Sequence, residues 1–420
     1  MKTKQRENSS NLVKVAVDIG STIIKIAQLD HNDAQLSQQF FTRDFDLGVA
    51  PQVKSLLEGV GADEILMCSS ANGGLRAGII SLTEHYSGIV VQNQALNAGA
   101  NPLFVKRLSD EQGDMRFVDV LIVCGGIDCS DAPLFESMIE NLTLVNFKFG
   151  SLIYAGNSYF ADSFRQRFPE AVVIANPLGG TLTNGSNSVF EALRNAYLED
   201  LVYKEGISEL NQQLSMKIRP TPEVVSSGFH RILSNRSNIK VTGASLLFDV
   251  GGATTDIHYT VEIVRDDSLV RPGAASSIAR YVFTDLGIVA SRDSTLQQMR
   301  SHPLSYEFLN LVLTHDVRET YQLLREGEYV PSPEVLSYAC LFLSLDRFSH
   351  GKGSGLPVAD LNKVSQIILT GGATQNLSEA IVANILRMFF SDVGVDPAIL
   401  IDKKYQVWID GITWFSDVVN

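Results

Sequence analysis

The sequence predicts an α/β protein of two lobes, and three observations predict it. Three short glycine-bearing segments lie far apart, each at the end of a strand-like apolar run: Asp18-Ile-Gly20-Ser21-Thr22, Asp249-Val-Gly251-Gly252-Ala253-Thr254 and Thr370-Gly371-Gly372-Ala373. From Val118 to Ala175, strand and helix patterns alternate at the length of a parallel, doubly wound sheet. At Ser245 the chain restarts with a weak copy of its own beginning: apolar run, aspartate, glycine, hydroxyls, second strand.

The elements follow in order. Met1–Asn11 is polar and reads as a disordered tail, not a signal peptide. Lys14–Ile19 and Ile23–Leu29 predict a hairpin across Gly20-Ser21-Thr22. Val49–Gly59 predicts a helix. Asp63–Cys68 predicts a strand ending at Ser69-Ser70-Ala71-Asn72-Gly73-Gly74. Strands at Val118–Cys124, Ser151–Ala155 and Ala171–Ala175 alternate with helices at Ala132–Asn141 and Ala161–Phe168. Glu191–Leu214 and Pro222–Leu233 are helical patterns, the second entered through Pro220-Thr221-Pro222. The polar stretch Ser234–Thr242 sets the boundary between a first lobe, 12–241, and a second, 242–420. There the hairpin Ser245–Val261 precedes helices near Ser294–Met299, Tyr306–Leu313 and Pro333–Leu345, the glycine-rich loop His350–Gly355 and a helix over Ser378–Phe389.

Composition narrows the class. A chain of 420 residues, 45% hydrophobic, has room for two or three domains. A net charge of −13 argues against nucleic acid, which selects a basic stripe. The four cysteines, Cys68, Cys124, Cys129 and Cys340, show no CxxC spacing and no zinc-like cluster. Buried reduced thiols and a cytoplasmic location are the expectation. No apolar run is long enough for a transmembrane helix. There is no Walker-type phosphate loop, no dinucleotide glycine fingerprint and no serine-hydrolase set around Ser69-Ser70.

The glycine segments carry the chemistry. A turn of glycines and hydroxyls lets backbone N–H groups close on a phosphate. Asp18 and Asp249 end their strands, where each is placed to hold a magnesium ion through water. Two such turns face to face would form a nucleotide clamp. Gly20, Ser21, Thr22, Gly251, Gly252, Ala253 and Thr254 would supply the donors, and Gly371 and Gly372 would admit a close backbone approach. Lys25 is either a cation for a phosphate or a solvated surface lysine. Asp128 either orients a water for attack on the terminal phosphate or caps the helix that follows it. Asp256 either matches a position of the family resembled below or only pairs within its hairpin, and His258 reads as a strand-face residue.

These three segments resemble, in order, the phosphate-one, phosphate-two and adenosine motifs of the actin-like ATPases. A narrower resemblance rests on Cys68-Ser-Ser-Ala-Asn-Gly-Gly-Leu75, Asn97-Ala-Gly-Ala100, Cys124-Gly-Gly-Ile-Asp128, Tyr154-Ala-Gly-Asn157, Pro220-Thr-Pro222 and Leu400-Ile-Asp402-Lys403-Lys-Tyr405 followed by Gly411. In that order they resemble the MutL/GlmL family, accessory proteins of adenosylcobalamin-dependent glutamate mutase. The chain departs from that family at Gly125-Gly126-Ile127-Asp128-Cys129-Ser130, where Gly-Gly-Thr-Asp-Gly-Gly is usual.

The resemblance implies a two-lobed actin-like, ribonuclease H-like fold with ATP and Mg²⁺ in the interlobe cleft. It implies Asp18, Asp249 and Asp128 as catalytic, and Asp18 and Asp249 as metal holders through water. The implied function is a slow ATPase serving as reactivase for an adenosylcobalamin-dependent mutase, with a homodimer left open. A small-molecule kinase using Asp128 as base, or an ATP-binding scaffold without hydrolysis, are the alternatives.

Overall fold

Val15, Val17 and Ile19 point into one core, and their strand turns back on itself because Gly20 allows it. The Gly20 N–H donates to the Ile23 carbonyl at 2.9 Å, and a Cβ on Gly20 would stand 2.8 Å from that oxygen. A computed structural model describes residues 13–419 except 31, 45, 61, 71–74, 110–113, 180–185, 205–217, 235, 236, 238, 240–242, 269–276, 315, 354 and 355. The expected tail, parts of the Ser69–Gly74 turn, of the Glu191–Leu214 helix and of the His350–Gly355 loop, and most of the lobe boundary, lie outside the described residues.

Strands β1 (Lys14–Ile19) and β2 (Ile23–Leu29) are the expected hairpin. β3 (Gln35–Thr42) adds antiparallel to β2, and β4 (Glu64–Ser69) adds parallel to β1. A separate sheet follows, made of β5 (Arg76–Ser81), β6 (Asn101–Arg107), β7 (Asp114–Gly125), β8 (Phe147–Gly156) and β9 (Val172–Val173). All its pairings are parallel and its order is β6-β5-β7-β8-β9. That is a doubly wound order, with its switch point between β5 and β7. The helices Ile89–Asn97, Pro133–Asn141 and Ala161–Arg167 make the crossovers. The short β10 (Arg219–Pro220) completes the first sheet as β3-β2-β1-β4-β10.

The second lobe repeats that order and sense. β11 (Ser245–Val250), β12 (Thr255–Thr260), β13 (Ile278–Phe283), β14 (Gln366–Thr370) and β15 (Ala398–Ile401) form the sheet β13-β12-β11-β14-β15. In both sheets the first pairings are antiparallel and the last are parallel. The copy seen at Asp18 and Asp249 therefore extends to whole sheets. The fold is α/β in two lobes of one sheet order, as the sequence predicts.

Packing ties the parts together. Val15, Val17 and Met67 share a core with Ile79, Val120 and Ile122 of the parallel sheet. The second lobe has its own core of Phe248, Ile257, Phe283, Phe342 and Leu369. Its helix Pro333–His350 starts at a Ser332 cap, whose side chain accepts from the Val335 N–H, and stops at Gly351 in the left-handed region.

Two helices lie between the repeated sheets. Helix Thr221–Leu233 sends Val224 to the first sheet and Val225, Phe229 and Ile232 to the second. Helix Gln406–Val419 does the same with Trp408, Ile409 and Ile412 on one side and Val407 on the other. They cross at Gly228 and Gly411, where an added Cβ would collide with the Val407 and Val224 carbonyls respectively. Among the described residues no helix is long and apolar enough to cross a membrane.

Candidate functional site

The hairpins β1–β2 and β11–β12 bring their turns to opposite sides of one cleft, with a free volume of about 430 Å³. Gly20, Ser21, Thr22 and Lys25 line it from one lobe; Gly251, Gly252, Ala253 and Thr254 line it from the other. Asp18, Asp249 and Gly372 also face it. The turns touch. A Cβ on Gly252 would lie 2.7 Å from the Thr22 Oγ1 and Cγ2, and one on Gly372 would lie 2.8 Å from Ile23 Cδ1. Gly371 is set behind the wall. It has φ 96°, and a Cβ there would collide with the Asp249 carboxylate, so only glycine lets the third turn rest on that aspartate.

Lys25 is not on the solvated surface. The β1–β2 register sets it opposite Asp18, and its Nζ lies 2.6 Å from Asp18 Oδ2. The Tyr405 ring is 4.9 Å away and the Trp408 ring 6.0 Å. Burial works against the ammonium charge, but Asp18 and then Asp249 outweigh it and hold the pKa above the usual lysine value.

The two aspartates differ. Asp18 is fully partnered: its other oxygen accepts from Thr221 Oγ1 at 2.7 Å and from the Cys68 thiol at 3.3 Å. Trp408 Nε1 in turn donates to Cys68 Sγ at 3.1 Å. Burial and Asp18 push the Cys68 thiol far up, so it stays a neutral donor. Asp249 is partly buried and faces the cleft, and its carboxylate makes no hydrogen bond or ion pair among the described residues. Burial raises its pKa to about 7, with Lys25 pulling the other way. A carboxylate without a partner opposite a glycine cradle fits a cation held with an anionic ligand. Asp18 and Asp249 offer two carboxylates rather than a closed ligand shell, and no group of three metal-binding side chains gathers among the described residues. That suits an ion held through water.

A scan against family models matches the MutL protein model over residues 14–418. The chain belongs to the MutL protein family. The curated Protein MutL of Clostridium tetanomorphum is 25% identical over 263 residues, covering 58% of this chain and 56% of that protein. The chain thus spans little more than half the length of the curated relative it matches. Among solved structures, component A of the (R)-2-hydroxyglutaryl-CoA dehydratase of Acidaminococcus fermentans is similar at 8% identity and TM-score 0.34. The alignment covers 97% of this chain and 100% of that one. The activator of the 2-hydroxyisocaproyl-CoA dehydratase of Clostridium difficile, solved with bound ADPNP, is also 8% identical, with TM-score 0.34 and coverage of 97% and 96%. The family assignment rests on the match over residues 14–418.

In this MutL family member Asp128 is not part of the cleft wall. It follows β7 in the parallel sheet, where its carboxylate accepts from the Ser158 N–H at 2.8 Å and from Asn176 Nδ2 at 3.0 Å. Nor does it cap the next helix, whose N-cap is Ala132 without a side-chain bond. Asp128 lies three residues past the end of β7, not at it, and that strand belongs to another sheet. Asp256 lines the cleft and is paired with Arg280 of the adjacent strand at 2.5 Å. His258 is buried on the same face of β12 as Asp256, opposite Arg280 in the β12–β13 register, with Nδ1 2.9 Å from Ser226 Oγ, and burial holds its pKa far down.

Sequence reasoning did not name Arg280, and it gave Thr221, Cys68, Tyr405 and Trp408 no site role. Thr221, Cys68 and Tyr405 fall inside motifs quoted for the family resemblance. That was the available signal. Arg280 has none, because its partners are set by β-pairing and by a residue 184 positions away.

Proposed function

We propose that the cleft binds ATP with Mg²⁺, that the chain hydrolyses it slowly, and that the resulting lobe motion serves an accessory role as reactivase of an adenosylcobalamin-dependent mutase. The observation that carries the nucleotide reading is the apposition of two glycine turns over a buried Asp18–Lys25 pair and an unpartnered Asp249. The mutase reading is supported by membership of the MutL family and by the ordered motifs from Cys68 to Tyr405.

Bound magnesium would neutralise charge developing on the phosphates. The chain's part is positional. Thr221 and Cys68 hold the Asp18 carboxylate in place, and Asp249 offers the second carboxylate from the other lobe. The N–H groups of Gly20 and Gly251 already donate to the Ile23 and Thr254 carbonyls, so the remaining N–H and hydroxyl groups of the two turns donate to phosphate oxygens, and Lys25 brings a fixed positive charge to the same place. Lobe separation would break the contact of Gly252 with Thr22, so the cleft's contents and the lobe angle are coupled. The kinase alternative relied on Asp128 as its base, and that carboxylate is engaged outside the cleft.

The test is reactivation. Mutase inactivated by turnover should regain activity with this protein, Mg²⁺, ATP and fresh adenosylcobalamin, and ADP should not replace ATP. Asp249→Asn should retain nucleotide and lose both phosphate release and reactivation. If ATP is hydrolysed but no cobalamin mutase of the source organism recovers, the reactivase reading fails while the nucleotide reading stands.

A further inference from the structure

Arg280 stands on β13, outside every motif of the sequence, yet it lines the cleft and is 4% exposed. Its Nε donates to Asp256 Oδ1 at 2.8 Å, and one terminal nitrogen lies 2.5 Å from the same oxygen. The other terminal nitrogen donates to the Leu96 carbonyl. Asp256 comes two residues after Thr254, the end of the second glycine turn, and the Thr254 hydroxyl donates to its Oδ2 at 3.4 Å.

Leu96 belongs to a different part of the molecule. It sits in the last turn of helix Ile89–Asn97, the crossover from β5 to β6 of the parallel sheet. Its side chain joins the apolar cluster of the second lobe with Phe248, Tyr281 and Phe283. The next residues, Gly99 and Ala100, face the cleft, and Asn101 begins β6. One guanidinium therefore joins the second glycine turn to the crossover helix of the parallel sheet.

We infer that Arg280 is a positioning residue that passes the state of the second glycine turn to the parallel sheet. The inference rests on the nucleotide reading of the cleft. A guanidinium is a rigid planar fork, so its two acceptors keep a fixed mutual geometry. Buried at this depth, it cannot release either acceptor without leaving polar groups unpaired. A shift of Asp256 must then move the Leu96 carbonyl or break the bond. A lysine ammonium has no fork and cannot hold both acceptors in that geometry. The destination is the amino edge of β5 and β6, and helix Ile89–Asn97 runs from there back to the carboxyl edge of β5, beside the switch point where open sheets of this order take their ligands.

The test is hydrogen exchange on the full chain with Mg²⁺ and either a non-hydrolysable ATP analogue or ADP, beside melting curves. The unmodified protein should show exchange over residues 89–107 that differs between the two nucleotides. Arg280→Lys should still melt higher with Mg-ATP but lose that difference, while residues 251–255 keep responding. Asp256→Asn, which keeps the shape and removes the charge, should uncouple in the same way, and it decides the matter if the lysine variant does not fold. Either variant keeping the difference overturns the assignment. A melting shift without any nucleotide-dependent exchange over 89–107 in the unmodified protein overturns the coupling alone. No melting shift at all refutes the nucleotide reading, and the coupling with it.

Discussion

Lys25 decides whether the cleft can keep two carboxylates out of bulk water. It pairs with Asp18 at 2.6 Å, and Asp249 contributes to its raised pKa. Removing one member of a buried pair leaves an uncompensated charge, which costs about 3–5 kcal/mol. Lys25→Met should lower stability by that order in urea unfolding. A loss within the surface-pair range, below about 1 kcal/mol, would show a solvent-screened pair and contradict the burial described here. Its role was not legible from spacing, because three residues past Thr22 fixes the strand but not the face. The register supplies the face, since directly opposed residues of an antiparallel pair share one. That Asp18, Asp249 and the glycine turns gather at one cleft was legible because three such turns recur in order along the chain, where one alone is an ordinary turn. Arg280 was not, because a side chain that bonds a distant carbonyl leaves no local pattern.

Gly252 makes a second prediction at this scale. Its missing Cβ would meet Thr22 of the facing turn at 2.7 Å. Gly252→Val should therefore hold the lobes apart and abolish any ATP-dependent rise in melting temperature. A variant that still responds to ATP would mean the turns need not close.

The two helices between the sheets set the element scale. Gly228 and Gly411 let their backbones meet, and overpacking such a contact costs about 1–3 kcal/mol. Gly411→Ala should lower stability by that amount. It should also weaken nucleotide binding, because the same helix carries Trp408 to Cys68 and thus to Asp18. Calorimetry that finds lost stability with unchanged ATP affinity would detach the helix from the site. The amphipathic pattern of Pro222–Leu233 was readable, whereas Gln406–Val419 is apolar on two sides and only its Gly411 registered, at the end of a motif. β3 escaped notice because Gln35–Thr42 is a half-exposed edge strand without clean alternation.

The end of helix Pro333–His350 gives a pH prediction. Asp346 is bonded to His302 and Lys352, which together overcome its burial and hold its pKa at about 2, below the ordinary 3.8. The folded chain therefore binds fewer protons than the unfolded chain between those values. The contribution is complete above about pH 4 and is lost as pH falls toward 2. The stability gap between the native protein and Asp346→Asn should close over that interval. A gap that persists at low pH would show that packing, not charge, is responsible.

At the scale of the molecule, two sheets of one order enclose a cleft, and a parallel sheet rides on the first of them. The repeated sheets were visible in the sequence through their hairpins, where pattern and turn chemistry coincide. The parallel sheet was visible from β7 onward, but β5 and β6 were not, because a short Gly-containing run and a Pro-containing run carry weak strand signals. Which loops face the cleft is a matter of sheet packing, and that is why Asp128 looked eligible.

A magnesium–adenine nucleotide is the proposed occupant of this cleft. Melting of the full chain with Mg-ATP tests it most directly, since a ligand that binds only the folded state at about 100 times its Kd adds about 2.7 kcal/mol. Mg-ATP should raise the melting temperature of the unmodified protein, GTP and NAD should raise it less, and Gly252→Val should show no rise. An equal rise with GTP or NAD would contradict the adenine assignment, and no rise with any nucleotide would contradict the claim itself.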